Sequence, residues 1–265
     1  MLECHNLNIK RGNKHIIKNL SFNAKQGEFI VLLGENGAGK STLLSAICDD
    51  LSFTGQVTFY NQLLSDFDPN TLAKQRAMLL QNNRVNFAFS AAELIAMGRY
   101  PYQESTKEQA DTVSQIIEML SLAHLANRDV TVLSGGEFQR VQFARCLAQL
   151  NAHKTDTKGK LMLLDEPTSA LDLHHQHCTL GIAKAFAQQG NTVIAVLHDL
   201  NLASLYADRV LLLHDGYIHQ DGSPQHVLKT DILQPIYRAG MQINQHPSFS
   251  IPMIFSEPLT GAQNA

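Results

Sequence analysis

Apolar and polar positions along this chain change period several times, and each change marks an element. Short apolar runs bounded by turn residues occur at Glu28–Leu33, Gln56–Tyr60, Lys160–Leu164, Thr192–Leu197 and Arg209–Leu213. Their length predicts strands. Between them, helical spacing appears over Ser41–Cys48, Glu108–Leu122, Gly136–Leu150 and His174–Gln189, the last stopped by Gly190. Strands alternating with helices predict a parallel sheet covered on both faces. From about Phe89 to Leu150 the signals are helical without a convincing strand, which predicts a helical subdomain inserted into an α/β core. Asp215-Gly216 reads as a hairpin turn and Ser223-Pro224 as a helix start. The polar, basic stretch Asn151–Lys160 reads as a solvated loop.

Composition narrows the picture only in places. The 265 residues allow one or two domains, and 44% hydrophobic content excludes disorder as the main state. No apolar run approaches the roughly 20 residues of a spanning helix. The opening residues lack the apolar core of a secretory signal. A net charge of −3 disfavours an electrostatically driven nucleic-acid binder. Charged residues make up 17%, low for a soluble domain, which is compatible with faces covered by partners. Cys4, Cys48, Cys146 and Cys178 form no CxxC pair and read as small buried apolar residues in a reducing, cytoplasmic setting.

The chemistry sits at the strand ends. Gly34-Glu35-Asn36-Gly37-Ala38-Gly39-Lys40-Ser41, followed by Thr42, fits G-x-x-x-x-G-K-[ST] between a strand and a helix. Such glycines let backbone N–H groups wrap phosphates, and the following helix N-terminus favours the anion. Lys40 is placed to reach the β- and γ-phosphates of ATP, and the Ser41 hydroxyl to hold Mg2+. Lys160–Leu164 delivers Asp165 and Glu166 to a strand end. Asp165 is the expected magnesium carboxylate, and Glu166 the group that polarises the attacking water. His174, His175, His177 and Cys178 invite a metal reading, but a site needs three or four convergent ligands.

Leu133-Ser134-Gly135-Gly136-Glu137 opens a helix ahead of Asp165. With the loop and the Asp165-Glu166 pair, it makes the chain resemble the ATP-binding subunits of ABC transporters over nearly its whole length. The resemblance implies an α/β fold: a RecA-like phosphate-loop NTPase core, an antiparallel β subdomain and an inserted α-helical subdomain. It implies one unit over 1–265, with the core at 1–88 and 151–240, the helical part at 89–150 and a C-terminal extension at 241–265. Gln81 resembles the family's Q-loop glutamine, which senses magnesium; Ser169–Asp172 its D-loop; and His198 its switch histidine. Ser134, Gly135 and Gly136 resemble the signature that faces the ATP held by a second copy, so a homodimer sandwiches two nucleotides. Asn82–Phe89 would line the groove for a permease helix. Arg11 stands where the family places an aromatic residue against adenine, and a guanidinium can also stack there.

The finer resemblance is to importer ATPases of the iron-siderophore, cobalamin and haem group, with three stretches pointing toward haem. It implies two transmembrane permease subunits, a periplasmic substrate-binding protein behind them, and a place on the cytoplasmic face of the inner membrane. Ferric-siderophore or cobalamin import is the alternative. A soluble ABC-type ATPase acting on DNA or ribosomes is disfavoured, because there is one cassette and no room for a long coiled-coil insertion.

Overall fold

The computed structural model describes residues 1–81, 87–150 and 159–258. The chain opens with an antiparallel pair, β1 (Leu2–Arg11) and β2 (Lys14–Ala24), then enters β3 (Phe29–Leu33), the phosphate loop and α1 (Lys40–Ile47). It continues through β4 (Thr54–Phe59), β5 (Gln62–Leu63), α2 (Pro69–Gln75) and β6 (Arg76–Leu79). Helices α3 (Ala91–Ala96), α4 (Thr106–Met119) and α5 (Gly135–Leu150) follow; the one pairing outside the named strands among the described residues is the Ser90–Asp129 bridge. The chain then alternates β7 (Leu161–Asp165), α6 (Leu173–Gln188), β8 (Thr192–Val196), α7 (Leu200–Tyr206) and β9 (Arg209–His214). It ends with β10 (Tyr217–Gly222), α8 (Pro224–Val227), α9 (Thr230–Tyr237), β11 (Met241–Gln245) and β12 (Pro252–Ser256).

A six-stranded sheet runs β10-β9-β3-β8-β7-β6, parallel except for the β9–β10 hairpin. A second, antiparallel sheet runs β2-β1-β4-β5. In β3 every residue is buried, and alternate side chains serve opposite cores. Phe29, Val31 and Leu33 join α3–α7, while Ile30 and Leu32 join α1 and the antiparallel sheet. This is the pleat period of a strand covered on both faces.

The strands and helices expected from the sequence appear within two residues at each end, except that the Glu108–Leu122 helix is observed at Thr106–Met119, three residues short at its C-terminal end. The Asp215-Gly216 turn has φ 49 and 84, the left-handed pair that a two-residue hairpin requires. Ser223 does precede α8, but its side chain makes no capping bond. Most of Asn151–Lys160 lies outside the described residues. Cys178 departs from expectation: it is exposed on α6, whereas Cys4 and Cys146 are buried and Cys48 half-buried.

The helical stretch is locked by a charge that the pattern does not reveal. Arg99 is 2% exposed, donates to the Ala148 carbonyl at 2.6 Å and pairs with Glu104. Its guanidinium stacks on Tyr102.

Candidate active site

Topology places the chemistry in one row. Strands β3, β8, β7 and β6 are neighbours, parallel and in register, with Leu32 opposite Val196, Val196 opposite Asp165, and Leu164 opposite Leu79. Their carboxyl ends therefore open side by side, about 4.8 Å apart. The loop leaves β3, His198 follows β8, Asp165 and Glu166 end β7, and Gln81 follows β6. A cleft of 630 Å³ forms there, bounded by loop residues and by Gln81, Glu166 and His198.

The loop's backbone is shaped for this place. Gly34 has φ +140, and a Cβ there would lie 2.1 Å from the Leu213 carbonyl oxygen, so no other residue fits. Its N–H donates to the Tyr237 hydroxyl at 3.0 Å. Burial pushes the Tyr237 phenol up to about 12, so it stays protonated. Gly39 caps α1 without a side-chain bond, which leaves the first-turn N–H groups open to an anion.

Lys40 is buried, and its ammonium donates to the Gly34 and Glu35 carbonyls at 2.7 and 2.9 Å. Burial lowers its pKa, opposed by the nearby charges of Glu166, Asp165 and Glu35. The Ser41 hydroxyl donates to Asp165 Oδ1 at 2.9 Å. Burial raises the Asp165 pKa; Ser41 and Lys40 pull it back, while Glu166 adds to the rise. A hydroxyl beside a poorly solvated carboxylate is a hard-oxygen set that suits Mg2+.

Glu166 Oε1 lies 2.6 Å from His198 Nε2. Asn36, Gly37, Gly39 and Thr42 line the cleft with Lys40 and Ser41, whereas Gly34, Glu35 and Ala38 do not. Glu35 instead lies 3.0 Å from His214 Nδ1. Arg11 also lines the cleft, joined by Lys14 and Ile16 from the β1–β2 hairpin. Those two were missed by the sequence reading; the Arg11-Gly12 turn between apolar runs was the available signal.

Ser134, Gly135 and Gly136 lie elsewhere, at the start of α5. They bound a separate cleft of 800 Å³ that shares no lining residue with the first. Glu137 and Ser134 cap this helix reciprocally, at 2.8 and 3.3 Å, and Arg128 balances the Glu137 carboxylate at 3.0 Å. Of Asn82–Phe89, residues 82–86 lie outside the described residues; Phe87 is exposed, and Phe89 packs on the core.

The histidine cluster does not converge. His174 meets Cys178 Sγ at 3.6 Å, His175 meets Asp172 at 2.8 Å, and His177 meets the Tyr206 hydroxyl at 2.8 Å. Among the described residues, the one trio with ligand atoms within 4.8 Å of one another is Glu35, His214 and Asp215.

Fold and site together define a phosphate-loop ATPase. The ABC transporter family model matches residues 17–169, and the chain belongs to that family. It is 42% identical over 252 residues to the hemin import ATP-binding protein HmuV of Plesiomonas shigelloides, spanning 91% of this chain and 96% of that protein. The HmuV of Idiomarina loihiensis is likewise 42% identical, over 97% of this chain and 99% of its own length. Among solved structures, an inward-facing ABC transporter described as metal-chelate type has a chain with TM-score 0.80 and 27% identity, covering 97% of this chain and 98% of that one. A dimeric ATP-binding cassette bound to ADP and Pi has TM-score 0.73 and 28% identity, covering 84% and 98%.

Proposed function

We propose that this chain is the ATP-hydrolysing subunit of a hemin importer, acting as a homodimer on two transmembrane permease subunits at the cytoplasmic face of the inner membrane. A periplasmic binding protein would deliver the cargo. The observation that carries the cargo is likeness over nearly the full length to hemin import ATP-binding proteins. Catalysis rests on the geometry at the β7 and β8 ends.

The α1 amides and Lys40 would bind the ATP phosphates, with Arg11 and Ile16 beside the base. Ser41 and Asp165 would hold Mg2+, with Gln81 at the cleft edge, and a bound ion would neutralise charge on the phosphate oxygens. Glu166 accepts a hydrogen bond from the attacking water, and His198 holds the Glu166 carboxylate in place. Among the described residues no helix is long and apolar enough to cross a membrane. A groove of 570 Å³ near β6 and α5, floored by Leu72, Met78 and Leu80 with Arg76 and Arg145 beside them, has the form to receive a permease helix. The separate clefts of the loop and of Ser134 favour a head-to-tail pair in which each nucleotide is closed by the second copy.

Likeness to a metal-chelate type transporter supports ferric-siderophore import as a second reading. Reconstitution with the permease encoded beside this gene tests both readings: hemin should stimulate ATP turnover. Stimulation by a ferric siderophore and not by hemin would transfer the assignment to the second reading. Glu166→Gln should abolish steady-state turnover, leaving a slow residual single-turnover rate, while trapping an ATP-bound dimer; turnover lost without a trapped dimer would remove Glu166 from its role.

A further inference from the structure

Glu166 has a left-handed backbone, φ 52, which a side chain this size holds only when its surroundings enforce it. The enforcement comes from α5. The Gln139 carboxamide donates through Nε2 to the Glu166 carbonyl at 2.7 Å, and its Oε1 accepts from the Ala170 N–H at 3.2 Å. One side chain thus bridges both ends of the turn after β7. Ser169 adds a hydroxyl bond to the same Glu166 carbonyl at 3.2 Å. A second contact shows how tightly helix and turn are joined: a Cβ on Gly136 would lie 2.7 Å from the Ala170 oxygen. The first turn of α5 therefore rests directly on the backbone that aims Glu166 at His198.

We propose that Gln139 is a positioning residue for Glu166, and that it couples the anion cleft at the start of α5 to hydrolysis in the same chain's own loop cleft. The proposal rests on the reading of Glu166 given above. A phosphate seated against Ser134, Gly135 and Gly136 fixes the first turn of α5. Gln139 passes that placement to the Glu166 carbonyl, and the short Glu166–His198 contact follows. A nucleotide at one site of a dimer is thereby felt at the other through one amide.

Gln139→Met keeps the length without the polar atoms, and Gln139→Glu keeps the shape but sets an acceptor against the Glu166 carbonyl. Each should lower kcat about tenfold or more while ATP KM and the directly measured ATP affinity stay within about threefold. In a Glu166→Gln background, Gln139→Met should leave the residual single-turnover rate unchanged, because the group it acts through is already gone. A kcat within about twofold of wild type in both variants, equal losses in kcat and ATP affinity, or a further drop in the Glu166→Gln background would each overturn the proposal. Wild-type protein without ATPase activity would instead sink the parent reading, and it is read before any variant is made.

Discussion

At the residue scale, this site exchanges stability for chemistry, most visibly at Asp165. Burial raises its pKa above the ordinary carboxylate value despite the Ser41 bond and the Lys40 charge. The folded chain thus binds that proton more tightly than the unfolded one. The contribution favours folding at pH below the ordinary carboxylate range and is lost as pH rises through the raised value. At neutral pH the ionised carboxylate is a cost that the proposed cation would relieve. Asp165→Asn should therefore raise the melting temperature by about 1–4 °C at pH 7, with the gain vanishing below about pH 4. Magnesium-dependent hydrolysis should be lost in the same variant. A lower melting temperature at pH 7 would contradict this account of the buried charge. The proposed roles of Lys40, Ser41, Asp165 and Glu166 could be read from the sequence because they rest on spacing relative to a strand end. Those of Gln139 and Tyr237 could not, because each works through a contact with a residue distant in sequence.

At the element scale, legibility followed regularity. Strands β3, β7, β8 and β9 are unbroken apolar runs and could be read directly. Strand β1 buries Leu2, Cys4, Leu7 and Ile9, but register shifts between Cys4 and Leu7 and between Leu7 and Ile9 destroy the alternation that announces a strand. Strand β6 is four residues long and recognisable only once β7 lies beside it. Helix α9 carries Pro235 inside it, which hides its helical pattern, yet it delivers Tyr237 to the phosphate loop. Tyr237→Phe leaves the Gly34 N–H without that partner. It should cost about 1–3 kcal/mol in urea unfolding and weaken ATP binding. Unchanged stability and unchanged affinity would show that α9 does not support the loop.

At the scale of the whole molecule, the two proposed anion sites of one chain lie in separate clefts, so the catalytic unit is expected to be a pair. Glu166→Gln protein should run as a monomer without nucleotide and as a dimer with ATP in gel filtration. Ser134→Arg in that background should block the dimer while ATP affinity for the loop changes by less than about threefold. A dimer that forms equally well with Ser134→Arg would place the interface elsewhere. The low charged fraction, 17% of residues, fits a molecule with faces given to a second copy and a permease.

The sequence by itself determined the reaction class. A phosphate-loop motif and a strand-end carboxylate pair are local patterns whose spacing can be read without the fold, and the signature added the family. Tertiary structure decided which devices meet. Parallel register between β3, β8 and β7 brings Ser41 to Asp165 and Glu166 to His198, while the α5–β7 contact brings Gln139 to Glu166. It also separated the three histidines of α6, which are neighbours in sequence, onto three different partners. Proximity along a chain sets which side chains share an element; only packing sets which of them share a site.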